Sequence, residues 1–297
     1  MTEPRGTTAL VTGASSGIGL VTARELAAAG THVVMLVRDR TRGERARAEI
    51  GAATPGASTE LLIADLADFS AVRRAASEFL TAHATLDVLV ANAGVIYPSR
   101  TITVDGNEAT FQVNHLSHFL LCALLEPALA AAAPSRVITV SSDAHYAAWR
   151  GIRFGDLGLE KGWSPFGAYA RSKLANIMFC YEHARRLAGT AITSNVMHPG
   201  LIRTGFGREG YGWYGRFIER VSPVVAGDAE DGADTLVWLA TAGEVASTSG
   251  VYFHHRRPHR SSPASRNVAA QGRLWRASEV LTGLRDEPGP PTAANRP

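Results

Sequence analysis

Tyr169 and Lys173 are the pair of residues in this chain whose types and spacing best suit proton transfer. They stand four positions apart, so in a helix their side chains share one face. A phenol has a reference pKa of about 10 and is a poor acid or base near neutral pH. A neighbouring ammonium favours the phenolate, so the pair predicts a tyrosine with a lowered pKa. Such a pair alone is usually an ordinary surface pair, and the interpretation depends on a second motif.

That second motif is a glycine-rich turn, which directly follows the apolar run Ala9-Leu-Val-Thr. Glycines remove side chains where backbone must approach a diphosphate, and the following helix offers its free N–H groups and positive dipole end. The spacing differs from GxGxxG, and a tight turn without ligand is the alternative interpretation. Together with Tyr169 and Lys173, the turn predicts hydride transfer involving a nicotinamide dinucleotide. The positive charge of the oxidised nicotinamide would help Lys173 to lower the Tyr169 pKa. The residues expected at the diphosphate are Gly13, Ser15, Ser16, Gly17, Ile18 and Gly19.

The residue after the second apolar run indicates the type of cofactor. NAD enzymes typically place a carboxylate there to accept the ribose hydroxyls. Here Val37 is followed by Arg38, whose guanidinium can hold a 2′-phosphate with paired, charge-assisted hydrogen bonds. Asp39 is better interpreted as a helix cap. The sequence therefore predicts NADP(H) in preference to NAD(H).

Further candidates follow the later apolar runs, at the edge where ligands bind to parallel sheets. Asp65-Leu66 is placed to contact the adenine, although a plain turn aspartate is nearly as good an interpretation. Asn92-Ala93-Gly94 keeps the backbone slim where the cofactor crosses. Ser141 and Ser142 end the fifth apolar run, and a hydroxyl there can hydrogen-bond a carbonyl oxygen as negative charge develops on it. The serine pair could equally be an ordinary helix cap or turn signal. Asn114 is a polar amide inside a helical run, which is unfavourable by propensity unless it has a purpose.

Short apolar runs alternate with longer amphipathic runs, which is typical of a parallel sheet with crossover helices. Continuous Val, Ile and Leu predict strands buried on both faces. The predicted strands are residues 8–12, 32–37, 60–64, 86–91, 136–141, 192–197 and 250–253. The predicted helices are residues 17–29, 41–50, 68–84, 108–131, 167–187 and 229–241. This order predicts the α/β class and a single-domain Rossmann fold, a doubly wound seven-stranded parallel sheet with helices on both faces.

Two long segments interrupt that alternation. Residues 143–166 are rich in Gly and Trp, and residues 201–225 carry five aromatic residues among glycines. Loops this long inside a compact domain are usually lids or binding loops, so we predict a substrate lid around residues 201–225. We expect residues 1–285 to form the domain and the Pro- and Ala-rich residues 286–297 to be disordered.

Composition is that of an ordinary globular protein, with 45% hydrophobic and 19% charged residues. The net charge of +3 is uneven, because residues 254–276 hold six arginines and no acidic residue. No nucleic-acid reading motif accompanies them. We therefore expect no nucleic-acid partner and a solvated or subunit-facing surface in this segment.

Cysteine and histidine usage predicts no metal site. Cys122 and Cys180 lie in apolar helical runs, where cysteine acts as a small hydrophobe. Four histidines are not spaced as a metal set and are expected at core edges or in loops: His115, His118, His145 and His198.

The N-terminus is polar and short, which predicts no signal peptide. The longest apolar run, residues 119–133, contains Glu126 and Pro127 and is too short to span a bilayer. We therefore expect a cytoplasmic protein without a membrane partner.

These motifs, in this order, resemble the short-chain dehydrogenase/reductase family, and most closely its retinol dehydrogenase-like branch. The resemblance runs from about residue 6 to residue 255. The branch is indicated by the runs that begin Phe111-Gln-Val-Asn-His-Leu and Val140-Ser-Ser-Asp-Ala-His. The matching pieces are Thr12-Gly13-x-x-x-Gly17-Ile-Gly19, Asp65-Leu66, Asn92-Ala93-Gly94, Asn114, Ser142, Tyr169-x-x-x-Lys173 and Pro199-Gly200-x-x-x-Thr204.

The resemblance implies a catalytic tetrad. Tyr169 would donate and accept the proton, and Lys173 would tune it and hold the nicotinamide ribose. Ser142 would orient the carbonyl, and Asn114 would hold a water that links Lys173 to solvent. Pro199 and Gly200 would lie along the cofactor, and Thr204 would touch the nicotinamide carboxamide or the lid.

Residues and resemblance together predict an NADP(H)-dependent oxidoreductase that interconverts a ketone or aldehyde and an alcohol. The aromatic lid favours a small hydrophobic substrate, and the usual NADPH pools favour reduction. An atypical family reaction, such as enone reduction or epimerisation, stays open, as does a non-catalytic NADP(H)-binding regulator. The resemblance also implies a homodimer or homotetramer formed through helices 108–131 and 167–187, which the basic C-terminal segment could block. Since the chain starts directly at its first strand, we expect no N-terminal membrane anchor of the kind many animal retinol enzymes carry.

Overall fold

A computed structural model describes residues 6–200 and 229–286 of the chain. Its strands are β1 Thr8–Thr12, β2 His32–Val37, β3 Thr59–Ile63, β4 Val88–Ala91, β5 Ser135–Val140, β6 Ile192–Met197, β7 Tyr252–His254 and β8 Arg257–Pro258. They form one sheet in the order β3-β2-β1-β4-β5-β6-β7-β8. Strands β1 to β7 are parallel, and the order reverses between β1 and β4, as a doubly wound fold requires. The predicted fold class is confirmed.

Helices cover both faces of this sheet. They are α1 Gly17–Ala28, α2 Arg40–Ala53, α3 Phe69–Ala82, α4 Ala109–Ala132, α5 Pro165–Arg186, α6 Ala229–Thr241 and α7 Val268–Leu281. Alternate residues of β1 enter two separate buried clusters: Leu10 belongs to the cluster that contains Phe79 of α3, whereas Val11 belongs to the cluster that contains Leu236 of α6. Strand alternation therefore buries both faces, as the continuous apolar runs predict.

Two elements at the C-terminal end lie outside the sequence-based prediction. The first is β8, which pairs antiparallel with β7 and makes the predicted count of seven strands wrong by one. A two-residue turn connects them, with positive φ at His255 (47°) and Arg256 (57°). The second is α7, whose first turn is capped by the Asn267 side chain. All six arginines of residues 254–276 are exposed, as expected, but the segment that carries them is folded onto the domain.

Helix α4 differs from the predicted continuous helix in its second turn. Gln112–Leu116 form a π turn, and Asn114 lies in the middle of it. Such turns are frequent at functional sites. The helix is 24 residues long, so its length and composition alone would suit a membrane span, but 67% of its most apolar window is buried inside this fold. Packing inside the fold therefore accounts for the apolar character of this helix. The longest apolar run identified in the sequence, residues 119–133, covers only its second half and the residue that follows it.

Candidate active site

The glycine-rich turn joins β1 to α1 at the carboxyl edge of the sheet. Gly13 and Gly17 have φ of 70° and 55°, a region that favours glycine. A Cβ atom on Gly19 would overlap the Gly13 carbonyl oxygen and lie 2.5 Å from Asn92 Nδ2. Ser16 precedes α1, and in the described structure its hydroxyl makes no hydrogen bond to that helix. The turn therefore brings a helix N-terminus, without intervening side chains, to the edge where a diphosphate would bind.

Thr12 joins this turn to the end of β4. Its hydroxyl oxygen accepts hydrogen bonds from the backbone N–H groups of Asn92 and Ala93, each at 2.9 Å. In return, Asn92 Nδ2 donates to the Thr12 carbonyl oxygen at 2.8 Å. The predicted slim segment that starts at Asn92 therefore lies directly beside the glycine turn. Sequence reasoning gave Thr12 no role of its own, because its partners are about 80 positions away.

His118 extends the Thr12 network to α4. Its Nδ1 lies 3.1 Å from the Asn114 carbonyl oxygen, which can only accept, so Nδ1–H is the donor. Its Nε2 lies 2.9 Å from the Thr12 hydroxyl, and burial lowers the His118 pKa to about 4. The ring is therefore neutral, and Nε2 accepts from Thr12. The expected core-edge or loop position is wrong for His118, which is buried between the glycine turn and Asn114.

Acidification is expected to destabilise the fold, because three buried histidines stay neutral in it. Burial lowers the pKa of His115 to about 3 and that of His118 and His183 to about 4. Unfolded histidines titrate near pH 6.5, so between about pH 6.5 and 4 the unfolded state holds more protons. The free energy of unfolding therefore falls as the pH falls through this window, by up to about 1.4 kcal/mol per pH unit for each histidine.

Urea unfolding at pH 7.5, 6 and 5, at constant ionic strength, measures this slope. The variant His183→Gln should reduce the slope, whereas replacing the exposed His255 by Gln should leave it unchanged. Equal midpoints at pH 7.5 and pH 5 would contradict the prediction.

Ser142, Tyr169 and Lys173 meet at the carboxyl end of β5. Helix α5 begins after Ser164, whose hydroxyl accepts from the Gly167 N–H, and this cap sets the position of Tyr169 one turn later. The phenol of Tyr169 is hydrogen-bonded to the Ser142 side chain. Lys173 Nζ lies 5.6 Å from the centroid of the Tyr169 ring and donates to the Val140 carbonyl oxygen at 3.0 Å. The structure therefore brings these three predicted residues together.

Asn114 of α4 is hydrogen-bonded to α5, the helix that carries Tyr169 and Lys173. Its Oδ1 accepts from the Val95 N–H at 2.7 Å, and its Nδ2 donates to the Val95 carbonyl and to the Ser172 hydroxyl, each at 2.9 Å. The side chain thus ties the π turn to α5 and to the loop after β4. These bonds use both Nδ2 hydrogens and one of the two acceptor positions of Oδ1. A water on Asn114 would therefore donate to the second position of Oδ1 or to the main-chain carbonyl, which already accepts from His118.

Burial dominates the acid–base properties of the pair. It raises the pKa of Tyr169 to about 12, against the opposing effect of the Ser142 hydrogen bond. Burial also lowers the pKa of Lys173 to about 8. The expected lowering of the tyrosine pKa is therefore not produced by Lys173 alone, because the cost of removing the phenolate from water exceeds the stabilisation by its polar neighbours. The expectation also includes the positive charge of an oxidised nicotinamide, and for the complex it stays a prediction.

Arg38 and Asp65 lie at the same edge of the sheet, beyond the glycine turn. Both charges act on the pKa of Tyr97, which burial raises. Arg38 is exposed, and within the described part of the chain no acidic side chain pairs with it. Asp39 caps α2, as predicted. One Asp65 oxygen accepts from a backbone N–H of its own turn at 2.9 Å, and the carbonyl of the neighbouring Leu66 accepts from Ser117.

A second hydrogen-bond network, which sequence reasoning missed, holds the main-chain carbonyl of Ser142. His145 Nε2 accepts from the backbone N–H of Ser262 at 3.0 Å, so Nδ1–H donates to the Ser142 carbonyl at 2.7 Å. Asp143 accepts from Tyr252 at 2.9 Å and contacts His198 Nε2 at 3.2 Å. The loop after β5 is thereby tied to β7 and to the segment after β8.

Pro199 and Gly200 follow β6 at the same edge, and Gly200 has a φ of 87°. Thr204, the predicted lid at residues 201–225 and nearly all of the tail at 286–297 lie outside the described residues. Of the loop before α5, residues Asp156 and Leu157 are held by Arg171, whose guanidinium donates to both carbonyl oxygens. Arg171 is the third residue of the Tyr169 motif, and the sequence gave no sign of this role.

The arrangement agrees with what the chain resembles among known proteins. A family model of the short chain dehydrogenases matches residues 7–154. Retinol dehydrogenase 14 of Mus musculus is 40% identical over 291 residues, which are 94% of this chain and 86% of that protein. Retinol dehydrogenase 12 of Homo sapiens is 40% identical over 282 residues, 95% of this chain and 88% of that protein.

Solved structures show the same likeness. The crystal structure of an uncharacterized protein from Mycobacterium paratuberculosis matches with a TM-score of 0.73 and 34% identity over 93% of each chain. A short chain dehydrogenase from Burkholderia cenocepacia, in complex with NADP, matches with a TM-score of 0.66 and 29% identity, over 84% of this chain and 96% of that one.

Proposed function

The chain belongs to the short-chain dehydrogenase/reductase family, in its retinol dehydrogenase-like branch, and we propose that it reduces the carbonyl group of a small hydrophobic ketone or aldehyde with NADPH. As a member of this family it is an NAD(P)-dependent oxidoreductase. The observation that carries the proposal is the hydrogen-bonded pair Tyr169 and Ser142, which lies beside a buried Lys173 at the carboxyl end of β5.

The residues present fit a dinucleotide. A side chain at Gly19 would fill the space between Gly13 and Asn92, so the turn has the slim backbone that a diphosphate needs. In the proposed complex, the first turn of α1 would hold the diphosphate, Arg38 the 2′-phosphate, and Asp65 the adenine. Asn92, Ala93, Gly94, Pro199 and Gly200 would follow the nicotinamide half. When bound, this cofactor supplies the hydride.

The chain's own residues supply the proton and fix the carbonyl. The Ser142 hydroxyl donates to the substrate oxygen as negative charge develops there. Tyr169 then gives its phenolic proton to that oxygen. The hydrogen bond between the Tyr169 phenol and Ser142 keeps the two hydroxyl groups together at this position. The resulting phenolate is stabilised by Lys173, whose ammonium group lies on the same helix face. Asn114 keeps α4 and α5 in register through Val95 and Ser172.

Replacing Arg38 by Asp should shift the preference of the enzyme from NADPH toward NADH. The guanidinium would be replaced by a carboxylate that repels a 2′-phosphate and accepts bonds from ribose hydroxyls. We expect KM for NADPH to rise about tenfold or more, which corresponds to about 1.4 kcal/mol, while KM for NADH falls or stays constant. Steady-state kinetics with both cofactors measure the ratio of their kcat/KM values.

Arg40→Asp is the matched control. This substitution makes the same charge change two positions away, at a side chain that is 70% exposed. An unchanged NADPH/NADH ratio in Arg38→Asp, or an equal shift in both variants, would contradict a specific role of Arg38.

The hydrophobic substrate class is supported by the relatives, which are retinol dehydrogenases. The proposed direction rests instead on the NADPH pools, which usually favour reduction. NADPH oxidation with a panel of aromatic and aliphatic carbonyl compounds tests the proposal. Identification of the products by mass spectrometry separates carbonyl reduction from reduction of a carbon–carbon double bond or epimerisation. NADPH binding without turnover of any compound would favour the non-catalytic regulator.

Cytoplasmic location and self-association remain parts of the proposal. Helix α7 packs on the two helices through which the resemblance implies a dimer or tetramer, because Trp275 lies 4.9 Å from Phe119 of α4 and 5.8 Å from Phe179 of α5 between ring centroids. Association through α4 and α5 would therefore involve α7 as well. Light scattering of the full chain and of the variant Trp275→Ala tests this.

A further inference from the structure

Three metal-ligating side chains converge at the amino edge of the sheet, on the opposite side from the active site. His32 is the first residue of β2, Glu60 is the second residue of β3, and His83 follows the last turn of α3. Their ligand atoms all lie within 4.8 Å of one another. The other end of β2 precedes Arg38, about 17–20 Å away at the rise of an extended strand. This group of three, which we call the His32 cluster, is therefore separate from the cofactor site.

Two of the three spacings in the His32 cluster are close to those of zinc ligands, and the third, between the two histidines, is within 4.8 Å. His32 Nε2 lies 3.5 Å from Glu60 Oε2, and His83 Nε2 lies 3.2 Å from each Glu60 oxygen. Bonds of about 2.0–2.2 Å at tetrahedral angles place neighbouring ligand atoms about 3.3–3.6 Å apart. Two histidines and one glutamate are a ligand set that zinc takes in proteins, with a fourth position left for water.

One ligand atom is unpaired where a cation would be placed. His32 Nε2 is buried and has no hydrogen-bond partner among the described residues, although a carboxylate oxygen is 3.5 Å away. On the other side of the ring, Nδ1 lies 2.7 Å from the Ser58 hydroxyl. When Nδ1–H donates to Ser58, the Nε2 lone pair faces the Glu60 carboxylate. Two electron-rich groups facing each other are stabilised by a cation between them, and a hydrogen-bonded outer partner such as Ser58 is typical of zinc-bound histidine.

The cluster is also accessible. The side chains of His32, Glu60 and His83 are 28%, 38% and 16% exposed, so an ion can enter from solvent without unfolding the protein. From these observations we propose that His32, Glu60 and His83 bind one Zn²⁺ ion, which links β2, β3 and the end of α3. The sequence predicted no metal site, because these residues are 28 and 23 positions apart (32 to 60, 60 to 83) and show no ligand motif.

Zinc binding by the full-length protein, after removal of metal with a chelator, tests the proposal. Competition with a chromophoric zinc chelator should give one high-affinity Zn²⁺ per chain. Co²⁺ in place of Zn²⁺ should give the visible absorption of a tetrahedral N/O site. Glu60→Gln, which keeps the size of the side chain, and His83→Ala should each lower the affinity more than about 100-fold. Ser58→Ala should lower it about 10–100-fold, as loss of an outer partner does.

The control is His255→Ala, since residues His254, His255 and His259 form a different histidine-rich surface whose rings pack within 6 Å. This variant should retain the wild-type stoichiometry. Thermal unfolding gives a second measure: Zn²⁺ should raise the midpoint of the wild type and of His255→Ala but not that of Glu60→Gln. Wild-type binding that survives in Glu60→Gln and His83→Ala, loss of binding in His255→Ala, or absence of a stoichiometric ion would overturn the proposal.

Discussion

Tyr169→Phe is expected to lower kcat for carbonyl reduction by a factor of about 10²–10⁴ while NADPH still binds. A positioned general acid typically contributes this factor, and the variant removes only the oxygen that donates the proton. The ring stays in place because it is held by the capped first turns of α5. Stopped-flow or steady-state measurement of NADPH oxidation gives kcat, and quenching of protein fluorescence gives the dissociation constant of NADPH.

Tyr146→Phe is the matched control for this change. The Tyr146 hydroxyl donates to the Arg260 carbonyl oxygen, and the residue is 42% exposed. This variant also removes a phenolic oxygen, but it leaves Tyr169 and Ser142 unchanged. Its kcat should therefore stay within about twofold of the wild-type value. Turnover retained in Tyr169→Phe would refute the mechanism. Equal losses in both variants would show a structural effect instead.

Ser142→Ala tests the contribution of the Ser142 hydroxyl separately from that of the Tyr169 proton. The variant removes the partner of the Tyr169 phenol and the expected donor to the substrate oxygen, but it leaves the proton on Tyr169. We expect kcat to fall by about 10²–10³, as after loss of one oxyanion donor. The Ser142 bond opposes the rise of the Tyr169 pKa, so its loss should raise that pKa further. Because Tyr169 must be deprotonated to act as the base in alcohol oxidation, the low-pH limb of that pH profile should move to higher pH.

The fold could be read from the sequence where pattern and burial agree. Strand β1 and the glycine turn were predicted because a continuous apolar run is followed by glycines at positions that need positive φ. Strand β8 could not be predicted, because its turn uses His255 and Arg256 where Asn and Gly would have given the signal. In α7 the buried positions are Gln271, Leu274 and Ser278. Two of the three are polar, so hydrophobic periodicity does not mark this helix.

In the candidate site, too, some residues could be predicted from the sequence and others could not. Tyr169, Lys173 and Ser142 could be predicted because each belongs to a short motif at a strand end or on one helix face. Their supporting contacts could not, since these join distant parts of the chain: His145 meets Ser262 across 117 positions, and Thr12 meets His118 across 106. A histidine in an apolar helix reads as a core residue, and only the positions of its two nitrogens show that it orients polar groups.

Gly19→Ala is expected to weaken NADPH binding more than tenfold and to destabilise the protein. The added methyl group would overlap the Gly13 carbonyl oxygen and lie 2.5 Å from Asn92 Nδ2. Both neighbours are fixed: Gly13 N–H donates to Leu36 at 2.9 Å, and the Asn92 amide is bonded to Thr12. The first turn of α1 must therefore move away from β1 and β4, at a cost of about 1–3 kcal/mol for overpacking. The N–H groups that bind the diphosphate move with it.

Gly51→Ala distinguishes this effect from the general consequence of adding a methyl group to a helix. Gly51 lies in α2, and a Cβ atom there would meet nothing within 4 Å. Since alanine favours a helix over glycine, the control should be more stable by about 0.5–1 kcal/mol and should bind NADPH normally. Urea unfolding and NADPH titration of both variants measure the two effects. Normal NADPH binding by Gly19→Ala would show that the glycine turn is only a tight connection between β1 and α1, and the proposed cofactor site would have to lie elsewhere.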